Sequence, residues 1–507
     1  MKRILAAFIA LLMLALCVPA GAVKGIPGFI NPPPYLEGND GDFDGVEDSV
    51  DPSPKSNVFE STIHHTKPSE SIDASYSYTY KWDYSWLTGD PTEFNYELCR
   101  LSSLLGGLGY HQSASDTGAS DDLYVVSDSL GSSMDLPAFM RAHGMVVEEH
   151  NLVDTVPDNH ITLVDIGMRN IIVGGRGYAV VLVALRGSNG TWAEWNSNFE
   201  IGHDKQDCDP DFEQFRFGSH PEWTDPDNHM GFDITANRVN ALVRDFLNRN
   251  MKNRTKVIYW VTGHSRGAAV ANLCAAKMVD EGKKVFAYTF ACPNTTLASN
   301  TADYSTIFNV ANEDDLVSYL PFSGWGYHRY GRSARIDMND SMQSRWKSMM
   351  GETYDHAETT LTNAMSELEN IADGRNDVYT YTCSCHGDGT DNSIKTDNWY
   401  FTESNMYNNG IYKTPACLEG YYKLETEHSV LWYTHHCQPP IFFMQLLASY
   451  MVGVMSTTEF ADYDVAGRYE TAKWALALAA LNGVGHPHYC ESYFIIADEL
   501  TASDFQY

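Results

Sequence analysis

The sequence is short of positive charge. Its 507 residues carry 34 Lys and Arg against 66 Asp and Glu, a formal net charge of -32. A surface that acidic repels phosphate backbones, so no nucleic-acid partner is expected. Long apolar runs are also scarce. Beyond the N-terminus the best candidate, Pro440–Met455, is too short for a bilayer and carries Gln445 and Ser449, so it reads as a core helix. Internal repeats and long low-complexity segments are lacking. With 43% hydrophobic and 20% charged residues, the composition excludes global disorder, collagen and coiled coil. The length alone predicts about three domains.

Residues 1–22 read as an export signal rather than as fold. Lys2 and Arg3 form a basic start, Ile4–Val18 an apolar stretch, and Ala20-Gly21-Ala22 the small residues of a cleavage site. The expected location is therefore secreted, outside the cell. Ten cysteines less Cys17 leave nine, an odd number, so at least one thiol stays free even where disulfides form. Cys274 and Cys292 sit in apolar segments and read as buried thiols. Cys383, Cys385, His386, Cys417, His435, His436 and Cys437 have the residue types of a zinc site, but in an exported chain disulfides among the four cysteines are the favoured reading.

The segment 23–57 is rich in Pro and Asp and reads as an N-terminal arm rather than core. Within it Asp40, Asp42, Asp44, Asp48 and Asp51 fall at loop positions 1, 3, 5, 9 and 12, with Gly45 at the sharp turn and the Val46 carbonyl at position 7. Hard oxygen ligands at this spacing suit a structural calcium ion. The pattern resembles the calcium loops of thrombospondin type 3 and dockerin-like repeats, and an acidic linker is its alternative. No organic cofactor is expected.

Phe94–Gly109 has helical periodicity, and Leu136–His143 reads as a short helix. From His160 onward strands and helices alternate. Strands are expected near Ile161–Val173, Tyr178–Leu185, Lys256–Thr262, Lys284–Phe290 and Thr306–Val310, and helices over Ile234–Asn248 and Arg266–Glu281. Such alternation predicts an α/β fold, a mostly parallel sheet covered on both faces.

The β-forming run Lys256–Thr262 leads into Gly263-His264-Ser265-Arg266-Gly267 and then an Ala-rich helix. Strand, G-x-S-x-G turn and helix together constitute a nucleophile elbow, with Ser265 exposed on a strained turn and the Arg266 backbone N–H facing a developing oxyanion. That chemistry needs an imidazole to take the serine proton and a carboxylate to fix its tautomer. Acids follow in Asn312-Glu313-Asp314-Asp315, and histidines in Gly485-His486-Pro487-His488.

These segments, VTGHSRGAAVANL, TFACPN, NEDDLV and HYCESYF, resemble the class 3 lipase family of the α/β-hydrolases in its bacterial secreted form. Its motifs run discontinuously from about Tyr178 to Phe494. The resemblance implies Ser265 as nucleophile, Asp315 as acid with Asp314 the runner-up, and His488 as base with His486 the runner-up. It implies Ser188, after Arg186-Gly187, as the second oxyanion-hole donor beside Arg266. His229-Met230-Gly231-Phe232 matches a family segment of structural role.

Two departures stand out. Arg266 replaces the usual Leu and Ala268 a second Gly, and Arg266 suggests either a cation favouring acidic or polar substrates or a partner for a carboxylate. The other is the long spacing from Asp315 to His488. The expected organisation is a hydrolase core over 58–322, an inserted cap or lid over 323–484 rich in aromatics (Trp325, Tyr327, Tyr330, Trp346, Trp399, Trp432, Tyr433), and the end of the core over 485–507. The expected substrate is an ester, either a lipid met at a lipid–water interface or an acylated small molecule or polysaccharide. Alternatives are a feruloyl or acetyl esterase, or a catalytically silent, calcium-stabilised surface binding protein.

Overall fold

The computed structural model describes residues 40–46, 55–68, 71–112, 122–127, 131–152, 160–188, 197–198, 221–251, 256–320, 327–354 and 485–505, plus the backbone of four short strands between 378 and 434. The export signal, Asp48, Asp51, Cys208, the 383–437 cysteine and histidine group, Trp325, Trp399, the expected Pro440–Met455 helix and most of the expected cap lie outside these residues.

Strands β1 (Val58–Lys67) and β2 (Ile72–Lys81) form an antiparallel hairpin with Val58 opposite Lys81. Helix α1 (Tyr96–Leu108) follows, capped by Asn95, whose side chain accepts from the Leu98 N–H. Strand β3 (Leu123–Ser127) then pairs with β1, and β4 (Ser133–Met134) completes a sheet of order β2-β1-β3-β4. The sequence pattern predicts no sheet in this region. In β2, Ala74, Tyr76, Tyr78 and Tyr80 are buried while Asp73, Ser75, Ser77 and Thr79 face out or lie at the edge, so a period-two strand is hidden by buried residues that carry hydroxyls.

After helix α2 (Leu136–Ala142), capped by Asp135, come the strands of the main sheet. They are β5 (Val146–Asn151), β6 (Leu163–Val173), β7 (Arg176–Leu185), β8 (Lys256–His264), β9 (Lys284–Phe290), β10 (Ile307–Asn312) and β11 (Arg332–Ile336), and their spatial order is their chain order. Strands β5, β6 and β7 run antiparallel, and β7 to β11 run parallel.

Helix α3 (Met230–Asn250) bridges β7 and β8, and α4 (Arg266–Asp280) bridges β8 and β9. Along β7, Val180, Leu182 and Ala184 join one core cluster with α1, while Ala179, Val181, Val183 and Leu185 join the other with α3 and α4. A strand apolar on both faces is what a sheet covered on both sides requires. The fold is α/β, a mostly parallel sheet covered by helices on both faces.

Two expectations about organisation need correcting. The core does not end at residue 322: β11 extends the parallel sheet, and helix α5 (Asp340–Met350) packs its buried Met342 and Trp346 into the main core cluster. Tyr327, Tyr330 and Trp346 are therefore core residues, not cap aromatics. The N-terminal arm is also part of the packed body at 40–46, where Asp44 is fully buried. The chain ends with α6 (Gly485–His488) and α7 (Cys490–Ala497), the latter buried along its length against the face that also holds α1.

Candidate active site

Ser265 lies between β8 and α4 with φ 56° and ψ -129°, a strained conformation for a non-glycine residue. The surrounding backbone leaves it no other course. A Cβ on Gly263 would lie 2.5 Å from the Gly267 carbonyl oxygen, and one on Gly267 would lie 2.4 Å from that of Leu185, so only glycine fits at either position. The Ser265 N–H donates to the Phe290 carbonyl at 2.9 Å, which pins the turn to the next strand.

Ser265 Oγ lies 2.9 Å from His488 Nε2, and His488 Nδ1 lies 2.9 and 3.0 Å from the two Asp315 oxygens. A carboxylate accepts only, so Nδ1 carries the proton and Nε2 is left to accept from the serine hydroxyl. Asp315 is fully buried, while Ser265 and His488 are each 7% exposed. The carboxylate also accepts from the Val317 N–H at 3.0 Å and from the Tyr493 hydroxyl.

Asn312, at the end of β10, donates its amide to the Pro487 carbonyl at 3.1 Å, tying the acid loop to the histidine loop. The structure therefore brings Ser265, His488 and Asp315 together, and sets the runners-up aside. His486 pairs with Glu352 at 3.1 Å and lies against the Trp346 ring, and it is Asp315, not Asp314, whose carboxylate meets His488.

Ser188 follows β7 beside the elbow, and its hydroxyl accepts from Asn198 Nδ2 at 3.0 Å. Asn198 Oδ1 in turn accepts from the Arg266 guanidinium at 2.9 Å. That guanidinium also donates to the Ile161 carbonyl and the Thr235 hydroxyl, lies over the Phe232 ring, and is 1% exposed. The Arg266 side chain is therefore buried behind the elbow, which does not fit the reading of its charge as a cation facing the substrate.

His229 Nε2 donates to the Asn198 carbonyl at 3.1 Å and its ring stacks on Phe232, which bears out its structural role. Burial depresses it to about 3, so it is neutral. On the other side of the elbow, His264 Nδ1 is hydrogen-bonded to the Tyr110 hydroxyl at 3.0 Å, and burial first, then the nearby His488, hold its pKa low. Asn198 and Tyr110 have no signal in the sequence, because each acts across elements distant in the chain, and Tyr493 stands in the HYCESYF segment without anything there naming Asp315 as its partner.

Behind His488 lies a second polar group. Glu491, fully buried on α7, accepts from the hydroxyls of Tyr76 and Tyr124 at 2.9 Å each and pairs with His65 at 2.9 Å. His65 also meets Asp122 at 2.9 Å. Burial opposes the His65 charge, but Glu491 and Asp122 outweigh it and raise the imidazole to about 9. Two acidic groups with metal-ligand geometry occur among the described residues, Asp40/Asp42/Asp44 and His111/Glu149/Asp165. In the latter His111 Nε2 is satisfied by Asp165 at 2.8 Å. Cys99, Cys274, Cys292 and Cys490 are buried free thiols.

A serine, an imidazole and a carboxylate gathered at the elbow of a mostly parallel sheet form the arrangement that serine hydrolases use. Residues 182–325, from β7 through the elbow to beyond Asp315, match the lipase (class 3) family. Among solved structures, it is similar to a triacylglyceride lipase of Rhizomucor miehei (19% identity, 48% of this chain and 80% of that chain, TM-score 0.31). It is also similar to a mono- and diacylglycerol lipase of Aspergillus oryzae (18% identity, 48% and 80%, TM-score 0.33). Among curated proteins none matches.

Proposed function

We propose that the protein is a secreted carboxylic ester hydrolase that works through an acyl-enzyme on Ser265. His488 Nε2 takes the hydroxyl proton as Oγ attacks the ester carbonyl, and Asp315 holds the imidazole in the required tautomer and stabilises the imidazolium. The backbone N–H groups of Arg266 and Ser188 receive the developing oxyanion, each such donor contributing about 3–4 kcal/mol to the transition state. His488 then protonates the leaving alcohol. In the second half-reaction water attacks the acyl carbonyl, giving up its proton to the same imidazole, which returns it to Ser265 as the acid departs.

The observation that carries this reading is the 2.9 Å approach of Ser265 Oγ to an imidazole already anchored on a buried carboxylate. A catalytically silent binding protein has no need to keep that geometry on a strained turn. Lipid esters are the favoured substrate class, supported by the family of the 182–325 segment. The exported location rests on the basic, apolar and small-residue pattern of residues 1–22.

A fluorophosphonate probe should label Ser265 in the native chain. Ser265→Ala should remove both labelling and p-nitrophenyl ester turnover while the thermal midpoint stays in place. An unlabelled native protein, or full turnover by the variant, would overturn the proposal. Rates on short and long p-nitrophenyl esters beside feruloyl and acetyl esters then assign the substrate class.

A further inference from the structure

The segment 40–46 holds a problem that catalysis does not solve. Its sequence, Asp40-Gly41-Asp42-Phe43-Asp44-Gly45-Val46, packs three carboxylates so that one oxygen from each lies within 4.8 Å of the others. Both oxygens of Asp42 and Oδ1 of Asp40 are shut off from solvent and have no hydrogen-bond partner. Burying a carboxylate without partners is among the costliest arrangements a protein can adopt, and such groups are normally paired or bound to metal. Arg169 approaches Asp40 Oδ2 at 4.0 Å, one guanidinium beside three acids.

The loop around these acids is rigidly held. Gly45 has φ +93°, and a Cβ there would lie 2.2 Å from the His143 carbonyl oxygen, so the chain turns tightly against the turn that follows α2. The Gly45 N–H donates to Asp40 Oδ2 at 3.0 Å and the Val46 N–H to Asp44 Oδ1 at 2.7 Å. His143 Nδ1 donates to the Asp44 carbonyl at 3.0 Å, the Tyr84 N–H to the Phe43 carbonyl at 2.9 Å, and the Tyr84 hydroxyl to the His143 carbonyl at 2.7 Å. Trp82 stacks on the His143 ring at 4.0 Å.

We propose that Asp40, Asp42 and Asp44 bind a calcium ion that fastens the N-terminal segment onto the turn between α2 and β5. Three hard carboxylate oxygens converging at alternate positions of a loop, with glycine at the sixth, suit a hard cation that tolerates irregular coordination of six to eight oxygens. Magnesium fits less well, because it demands a near-octahedral shell and gives up water reluctantly. Asp48 and Asp51 lie outside the described residues, and the three acids whose oxygens meet are Asp40, Asp42 and Asp44. The role of the ion is structural: it neutralises a buried acidic loop and holds it against the aromatic cluster of Trp82, Tyr84 and His143.

Those aromatics supply a local probe. Excitation of Trp82 and Tyr84 should sensitise the luminescence of Tb3+ bound at this loop in the full chain, and Ca2+ should displace it. The expected affinity for Ca2+ is on the order of 10⁻⁵ to 10⁻³ M. Ca2+ at 1 mM should raise the thermal midpoint by several degrees over EDTA, and Mg2+ at the same concentration should not.

Asp42→Asn should weaken Ca2+ binding tenfold or more and abolish the calcium-dependent part of the midpoint. In EDTA the variant should melt at or above the wild-type temperature, since a buried repulsion has been removed. Asp40→Asn repeats the test should the first variant fold poorly. Luminescence indifferent to both substitutions, a midpoint indifferent to EDTA, or an equal loss of stability with and without calcium would each overturn the site.

Discussion

Replacing Asp315 by Asn tests the catalytic geometry more sharply than removing it. Asp315 Oδ1 accepts from the Val317 N–H at 3.0 Å, while Oδ2 accepts from the Tyr493 hydroxyl and, at 2.9 Å, from His488 Nδ1. An asparagine amide must place its oxygen on the Val317 side, because an NH2 there would face another N–H. Its NH2 is then directed at His488 Nδ1, which can only respond as an acceptor, and the ring proton moves to Nε2. In that tautomer the imidazole donates toward Ser265 instead of accepting from it.

The expected loss is about 10⁴ in kcat, or about 5.5 kcal/mol of transition-state stabilisation, the size associated with a triad locked in the wrong tautomer. The thermal midpoint should change far less, since volume and most hydrogen bonds survive. Asp315→Ala, which leaves the imidazole free to choose its tautomer, should retain as much activity as Asp315→Asn or more. The assay is p-nitrophenyl butyrate turnover together with the rate of fluorophosphonate labelling, and both should fall in proportion. A loss smaller than tenfold in Asp315→Asn, with the fold intact, would refute the assignment of Asp315.

Two further outcomes follow from the buried charges. Arg266→Met should leave the Ile161 carbonyl and Asn198 Oδ1 without their donor, at a cost of about 2–3 kcal/mol in denaturant unfolding, while the rate ratio between neutral and anionic esters stays unchanged; a shifted ratio would return the guanidinium to the substrate side. His65, raised to about 9, contributes stability that is complete below its ordinary value near 6.5 and is lost as pH climbs through 9, whereas Glu491, held below its ordinary value by His65 despite burial, contributes stability lost only in acid. His65→Gln should cost about 3–5 kcal/mol at neutral pH and remove the decline in melting temperature between pH 6.5 and 9; parallel pH curves for variant and wild type would count against the pair.

The elements that could be read from the sequence are those whose chemistry is local. Strand, turn and helix around Ser265 are contiguous, and the glycines at 263 and 267 are dictated by backbone atoms within that same unit and its neighbouring strand. Strand Lys284–Phe290 is apolar on both faces and was read at its observed bounds. Others shifted by a few residues, as with α3, which starts at Met230 rather than Ile234. Strand β11, Arg332–Ile336, escaped because it is short and its sequence RSARI has no apolar run. Hence the core was expected to stop before it.

What escaped at the site is the support behind the three residues, and the reason is physical. A side chain that acts on another across the core leaves no periodicity, since its own neighbours in sequence say nothing about the partner. Glu491 lies on α7 three residues after His488, inside the HYCESYF segment that marks the base, but nothing in that segment names its partners. Its partners Tyr76 and Tyr124 come from β2 and β3, 415 and 367 residues earlier, on the very sheet that hydroxyl-bearing residues disguised. The two omissions are one. The tyrosines make β2 read as polar, and those at 76 and 124 are in the core because a buried carboxylate on the helix after His488 needs their protons. A buried charge can be kept only if donors are carried to it from elsewhere in the fold. That requirement ties the four-stranded sheet to the helix that follows His488, and makes the position of the general base a property of the whole body rather than of the motif that contains it.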